Sequence, residues 1–382
     1  MKKVTVLGST GSIGKQALDV IRSHPGEFCV FALSAGNNTD LLQAQIEEFC
    51  PLAVASARED AGFDRFHQVE FFFGQNAAQK VAGLPEADIV VNGISGIAAL
   101  DPLLASLKQG KRVALANKES IVCGHTLVEE AIARYHGEIL PVDSEQSAIF
   151  QCLQNGKQNE LDRLILTASG GPFWKFSKEE LSDITLEQAL QHPTWSMGKK
   201  ITIDSATLFN KGLEVLEAAY LFHVRGEQIE VVIHPQSIVH SMVAYRDGTV
   251  MANLSNPDMR LPIQYAMTYP DRIESSCKRL SLTESGQLTF HAADLDRFTA
   301  LRLAYDALAA GKSMPIVYNG ANEAAVEHFF RGELEFSQIE NAVEAALTGH
   351  SIHEIKGIAD IWAADAASRD AVDAFCRKKG TA

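Results

Sequence analysis

The string VTVLGSTGSIGKQALDVI near the N-terminus constrains this chain more than any other feature. A short apolar run, Val4 to Leu7, leads directly into glycines 8, 11 and 14, and then into helical spacing over 15–23. A strand that turns through glycines into a helix is half of a crossover unit, and it needs parallel neighbours to bury it. Those neighbours follow. Apolar, β-branched runs recur at 28–33, 52–55, 89–91, 113–116 and 139–142, with a second helical pattern at 40–49. The reading is an α/β fold whose N-terminal part is a Rossmann-like, doubly wound parallel sheet with both faces covered.

The glycine spacing is GxxGxxG rather than GxGxxG, but the physics is shared. Glycines let backbone N–H groups approach a pyrophosphate, and the helix N-terminus adds positive potential. A tight turn without a ligand is the competing reading. The end of the second strand reads Leu33-Ser34-Ala35-Gly36-Asn37-Asn38, with no carboxylate to hold a ribose 2′-hydroxyl or repel a 2′-phosphate. That favours NADP over NAD. Arg58, beyond the third strand, is a candidate cation, though a solvated surface arginine is the more ordinary reading.

After residue 143 the pattern becomes α+β. A strand at 164–167 is broken by Gly170, Gly171 and Pro172. An irregular polar and aromatic stretch runs to about residue 200. A helix is expected over 207–222 and strands at 231–233, 238–245 and 249–254, the last two flanking the hairpin signal Asp247-Gly248. The weakly patterned segment 270–293 reads as a linker. Beyond it, helical spacing at 298–309, 321–330, 339–347 and 358–375 suggests a four-helix bundle. The expected division is therefore 1–143, a cofactor domain; 144–269, a catalytic and dimerisation domain with a flap at about 170–200; the linker; and 294–382, a helical domain.

The formal net charge of −14 argues against non-specific binding to nucleic acid or anionic membrane. An anionic substrate then needs a local cationic pocket. No apolar stretch approaches a membrane span, and the N-terminus reads as a strand rather than a signal peptide. The six cysteines are scattered without a CxxC pair, as expected for free thiols in a reducing cytoplasm.

Three clusters lie where ligands of open α/β sheets bind, or near them. Asp143-Ser144-Glu145 follows the strand at 139–142. If that strand continues, alternation puts both carboxylates on one side, where a divalent cation would relieve their repulsion, and all-oxygen ligation suits Mg²⁺ or Mn²⁺. An N-cap with Glu145 solvated is the rival. In the run from Asp204 to Glu214, Ser205 is a candidate helix cap, and Asn210 and Glu214 share a face beside Lys211. A phosphate cradle with Glu214 as a third metal ligand competes with an ordinary amphipathic helix carrying a Lys211–Glu214 surface pair. Asn117-Lys118-Glu119 follows the strand at 113–116, so Lys118 can reach the same crevice or be a solvated loop lysine. Ser169 opens a long loop in which Trp195 and Met197 suit a lid.

In order, GSTGSIG, ALANKES, PVDSEQSAIFQ, TASGGPF, HPTWSMG, DSATLFNKGLE, VVIHPQSIVHSMV, NPDMRLPIQYA and NGANEAAV span nearly the whole chain. This set resembles the 1-deoxy-D-xylulose 5-phosphate reductoisomerases of non-mevalonate isoprenoid biosynthesis. The resemblance implies NADPH, Mg²⁺ or Mn²⁺ (with Co²⁺ also possible), a small phosphorylated sugar and a homodimer. It implies that Thr10, Gly11, Ser12 and Ile13 hold the pyrophosphate and that Gly36, Asn37 and Asn38 meet the adenosine ribose phosphate. Asn117, Glu119 and Gly198 also contact NADPH, and Asp143, Glu145 and Glu214 bind the metal. Ser169, Ser205, Asn210 and Lys211, with His192, hold the substrate phosphate. Lys118 and Ser144, beside Glu145 and Glu214, face the reacting groups, and Trp195 and Met197 belong to the flap. Two departures stand out: the family often has a basic residue at the place of Asn37, and Thr194 replaces a common asparagine. The rival functions are a semialdehyde- or homoserine-type dehydrogenase, which needs no carboxylate triad, and a non-catalytic NADP sensor.

Overall fold

The computed structural model describes residues 1–191, 195 and 198–379. Two compact units emerge. The first comprises Met1–Ile121, His125–Ser147 and Asp258–Lys278; the second comprises Val122–Gly124, Ala148–Pro257 and Arg279–Ala382.

The first unit holds the strands β1 (Lys2–Leu7), β2 (Phe28–Ala35), β3 (Ala53–Ser56), β4 (Glu70–Phe73), β5 (Ile89–Asn92), β6 (Arg112–Leu115) and β7 (Glu138–Pro141). They form one sheet in the order β4-β3-β2-β1-β5-β6-β7, and every pairing is parallel. The chain winds outward from β1 in one direction and from β5 in the other, so the switch point lies between them. Val4, Val6, Leu33, Val54, Val90, Val91 and Val113 are buried, which is why these strands read as unbroken apolar runs. The helices α1 (Ser12–Ser23), α2 (Thr39–Phe49), α3 (Ala77–Ala82) and α4 (Leu100–Leu107), the longer α5 (Glu119–Tyr135) and the start of α6 (Ser144–Leu153) follow the strands in turn. β4, the EFFF run, has no counterpart in the sequence reading. It is an edge strand with half-buried side chains, so neither a continuous buried run nor clean alternation marks it.

The second unit carries α7 (Leu186–Ala189), α8 (Lys199–Ala206) and α9 (Phe209–Leu221), and the strands β8 (Leu161–Ala168), β9 (Ile229–Ile233), β10 (Val239–Tyr245) and β11 (Val250–Leu254). With β12 (His291–Ala292) they make a mixed sheet in the order β11-β10-β8-β9-β12. The β10–β11 hairpin forms around Gly248 at φ +89°, the left-handed conformation its signal requires. α9 lays Val215, Ala218 and Ala219 against Leu164, Leu166 and Val243 of this sheet.

In the first unit, α10 (Arg260–Thr268) packs on α1. In the second, α11 (Leu282–Ser285) precedes four further helices, α12 (Thr299–Ala310), α13 (Met314–Phe330), α14 (Gln338–Gly349) and α15 (Ile358–Lys379). The expected helical C-terminal region is present. α13 starts seven residues earlier than the spacing indicated, because Pro315 sits in its first turn, where its missing N–H costs nothing. Among the described residues no helix is long and apolar enough to cross a membrane.

Candidate active site

The glycine loop in the first unit is built by close contacts. Gly8 takes φ +73°, and a β-carbon there would lie 2.9 Å from the carbonyl oxygen of Gly93, just past β5. A β-carbon on Gly14 would lie 2.3 Å from the Gly8 carbonyl oxygen. Only glycine at both places lets the helix seat on the loop at the switch point. The Gly8 N–H donates to Ser34 Oγ (3.1 Å) and Ser9 Oγ donates to Gln45 (2.7 Å), which fixes the loop against β2 and α2. Gly11 occupies the N-cap of α1 with no side-chain cap. Thr10, Gly11, Ser12 and Ile13 thus form the helix mouth, with backbone N–H groups of the kind that bind phosphate.

Past β2, Gly36, Asn37 and Asn38 form an exposed turn. Asn38 caps α2 by accepting from the Leu41 N–H at 3.2 Å. Arg58 reaches back to this turn, its Nη2 donating to the Asn37 carbonyl at 3.2 Å.

At the other side of the sheet, Asn117 is a junction rather than an open surface group. Its Nδ2 donates to the Gly96 carbonyl (3.0 Å) and to Glu119 (2.7 Å), while its Oδ1 accepts from the Ser120 N–H (2.8 Å). It holds Lys118 at the start of α5. Lys118 is buried, and its Nζ lies 3.0 Å from Asp143 Oδ2. The solvated-lysine reading therefore fails.

The expectation that Asp143 and Glu145 share a side through strand alternation is corrected. β7 stops at Pro141, and α6 begins at Ser144. Asp143 accepts at Oδ1 from the Glu145 N–H (3.2 Å) and, at its main-chain oxygen, from the Ser147 N–H (2.8 Å). The carboxylates are brought together by a capping turn, with Ser144 Oγ donating to Glu145 at 2.5 Å.

In the second unit, the helix expected over 207–222 is α9, and a further helix the sequence reading did not include, α8, precedes it. Leu208, at φ +61°, separates α8 from α9. Ser205 therefore lies in the last turn of α8 and is not a helix cap, contrary to the sequence reading. Buried Leu208 carries neither glycine nor proline as a warning; packing imposes the turn. Gly198 is the N-cap of α8, and Trp195 lies 6.2 Å, ring centre to ring centre, from His240. Gly170 and Gly171 both have positive φ, and a β-carbon on Gly171 would lie 2.7 Å from the Ser205 carbonyl oxygen. This close approach sets the Ser169 turn, where Ser169 Oγ accepts from the Gly171 N–H at 3.2 Å, against the end of α8.

One turn into α9, Asn210 Nδ2 donates to Glu214 Oε1 at 2.5 Å, and Lys211 Nζ pairs with Glu214 Oε2. The Lys211–Glu214 pair is not on the surface: the side chains are 4% and 1% exposed. A buried carboxylate and ammonium are tolerable only with partners, so each requires the other's charge or that of a ligand. Asp204, just before Ser205, is held by Lys200 (2.7 Å) and by Asn322 of α13 (2.9 Å).

In the first unit, Asp143 and Glu145 each offer a carboxylate oxygen within 4.8 Å of the other, and in the second unit Glu214 offers a buried one. Carboxylate oxygens are hard donors that suit Mg²⁺ or Mn²⁺ and do not suit a structural zinc. His192, Thr194 and Met197 lie outside the described residues.

Sequence reasoning assigned no role to His240 or Asn322. His240 is buried, bonded to Ser255 at 2.9 Å, and pushed down to about 4, first by burial and in smaller part by the charges of His234 and Lys211. β10 is buried along most of its length, so its pattern does not single His240 out. Asn322, inside an otherwise apolar helical pattern, was the more legible of the two, because a buried amide demands a partner.

Models of the 1-deoxy-D-xylulose 5-phosphate reductoisomerase match residues 4–125, and models of its C-terminal domains match residues 139–222 and 254–371. The chain is 48% identical over 375 residues to the 1-deoxy-D-xylulose 5-phosphate reductoisomerase of Geobacillus sp. (strain WCH70), covering 97% of this chain and 98% of that protein. It is 48% identical over 380 residues to the namesake of Chlorobium chlorochromatii, covering 98% and 100%. The solved enzyme from Zymomonas mobilis in complex with NADPH superposes with a TM-score of 0.92 at 38% identity, covering 98% of this chain and 99% of that one. A reductoisomerase in complex with NADPH, fosmidomycin and magnesium gives 0.94 at 37% identity, covering 99% and 98%. By descent and by fold, the chain belongs to the 1-deoxy-D-xylulose 5-phosphate reductoisomerase family.

Proposed function

We propose that this chain converts 1-deoxy-D-xylulose 5-phosphate to 2-C-methyl-D-erythritol 4-phosphate, using NADPH and a divalent cation, in non-mevalonate isoprenoid biosynthesis. The observation that carries the reading is kinship over 97% of the chain. The paired carboxylates of Asp143 and Glu145 support it further, since a plain dehydrogenase or a cofactor sensor has no need of them.

The residues fit this chemistry in the following roles. Thr10, Gly11, Ser12 and Ile13 receive the cofactor pyrophosphate at the mouth of α1, and Gly36, Asn37 and Asn38 receive the ribose phosphate. Asn117, Glu119 and Gly198 complete the cofactor site. Ser169, Ser205, Asn210 and Lys211, with His192, hold the substrate phosphate, so binding energy far from the reacting carbons orients them. Asp143, Glu145 and Glu214 hold the cation, which when bound supplies positive charge at the substrate's carbonyl and neighbouring hydroxyl oxygens. Lys118 places its ammonium where negative charge develops as the carbon skeleton is cleaved and rejoined, before the resulting aldehyde is reduced. Ser144 donates beside it. Trp195 and Met197 cover the site and keep water out.

The finer readings come from the same resemblance. The enzyme works as a homodimer in the cytoplasm and accepts Mn²⁺ as well as Mg²⁺. Exposed apolar side chains on the edge strand β11, Val250, Met251 and Leu254, support self-association. Six free thiols suit a reducing compartment. The division into 1–143, 144–269, 270–293 and 294–382 belongs to this proposal too.

The test is direct. Purified chain is mixed with NADPH, Mg²⁺ and 1-deoxy-D-xylulose 5-phosphate, and nicotinamide absorbance is followed while the product is identified by mass and NMR. Stoichiometric cofactor oxidation with a branched methylerythritol phosphate supports the reading. Oxidation without rearrangement, or no oxidation, refutes it.

A further inference from the structure

The turn that would receive the cofactor's ribose phosphate, Ser34 to Asn38, contains no basic residue. A 2′-phosphate carries close to two negative charges, and the chain's net charge of −14 repels it. Something nearby must compensate if NADPH is to be preferred.

The sheet brings a cation to this place from a neighbouring strand. β2 and β3 run parallel with Ala35 opposite Ser56, so the residues just beyond each strand emerge side by side at the carboxyl edge. Arg58 is two residues beyond Ser56. Ser56 Oγ donates to the Arg58 carbonyl at 2.7 Å, which fixes the backbone from which the side chain springs. Its guanidinium Nη2 donates to the Asn37 carbonyl at 3.2 Å, so the charge stands at the turn itself. The acidic neighbour, Asp60, accepts from the Gly62 N–H (2.8 Å) and from Gln43 (3.4 Å), and a hydrogen bond from Thr39 holds its carboxyl below the usual range. Asp60 is thereby engaged mainly with α2 and its own turn, and the Arg58 charge acts on it as a smaller contribution.

We infer that Arg58 is the residue that selects NADPH over NADH, taking from β3 the role that a basic residue at position 37 would otherwise fill. This rests on the reductoisomerase reading, because it presupposes that the turn receives a nicotinamide dinucleotide. A guanidinium tethered by one N–H presents a planar fork that matches phosphate oxygens, and a 2′-hydroxyl gains nothing comparable.

The test uses equilibrium binding of the full chain, read by protein fluorescence with NADPH and separately with NADH. In Arg58→Gln the Kd for NADPH is expected to rise about tenfold while that for NADH changes less than about twofold, as for loss of one partly solvated charge pair. Adding Asn37→Lys to Arg58→Gln should recover most of the NADPH affinity, which a merely structural role for Arg58 would not allow. A wild-type chain that binds NADPH, with Arg58→Gln shifting both cofactors equally or neither, overturns the assignment alone. A wild-type chain that binds neither cofactor overturns the functional reading together with it.

Discussion

Lys118 Nζ lies 3.0 Å from Asp143 Oδ2, and the two side chains are only 6% and 11% exposed. In the proposed reaction, an enclosed lysine beside a candidate metal ligand supplies a fixed positive charge for substrate oxygens as they become negative. Lys118→Met is expected to lower kcat by about 10²-fold or more, the scale for losing one preorganised donor. The Kd for NADPH should stay within about twofold. Steady-state kinetics and fluorescence titration of the same preparation check both. A variant with full kcat would remove Lys118 from the chemistry.

The Lys211–Glu214 pair leads to a prediction about substrate rather than cofactor. With Lys211 buried beside Asn210 and Glu214, Lys211→Ala should raise the KM for the phosphorylated sugar by about tenfold or more, as for loss of a buried charge-assisted contact. Affinity for NADPH should be nearly unchanged. Equal weakening of both ligands would contradict the phosphate assignment. Because the change removes the ammonium beside the buried Glu214 carboxylate, a lower Tm is expected as well.

Gly14 makes a sharper structural prediction. With only 2.3 Å between its would-be β-carbon and the Gly8 carbonyl oxygen, Gly14→Ala must push α1 off the loop. NADPH binding should weaken by about tenfold or more, with stability falling by ~1–3 kcal/mol as in other overpacked sites. Titration calorimetry and thermal melts report the two effects separately.

His240 links pH to stability. Burial holds its pKa down to about 4 against an ordinary 6.5, so the unfolded chain binds this proton more readily than the folded one. The neutral ring's contribution is therefore complete above about pH 6.5 and is lost progressively as pH falls towards 4. The full effect is on the order of 3 kcal/mol. Relative to wild type, His240→Gln should show a flatter decline in Tm between pH 6.5 and 4.5. Parallel curves for the two proteins would contradict the assignment.

Much of this was readable in the sequence because the signals were local. The strand–glycine–helix start of the sheet, the hairpin at Asp247-Gly248 and the helix face shared by Asn210 and Glu214 all follow from short-range periodicity and turn chemistry. What escaped depended on distant partners. β4 is legible only once β3 is known to be its neighbour. The break at Leu208 is imposed by packing on a residue that avoids positive φ by itself. Asp143 and Glu145 were paired for an incomplete reason, since nothing in the run ILPVDSE says that the strand ends at Pro141 and that a capping turn takes over. Arg58 was a candidate cation in the sequence, but only the β2–β3 register and its bond to the Asn37 carbonyl put it at the turn.

The central claim is that Asp143, Glu145 and Glu214 together hold the cation that turnover requires. The most direct measurement is Mn²⁺ binding by EPR, with activity recorded in parallel, for the wild-type chain, Asp143→Asn and Glu214→Gln. One tight site per wild-type chain is predicted, with chelator-sensitive activity that excess Mg²⁺ or Mn²⁺ restores. Both variants should lose the site and turnover while still binding NADPH. Variants that keep the Mn²⁺ signal and full activity, or wild-type turnover indifferent to chelator, would contradict the account.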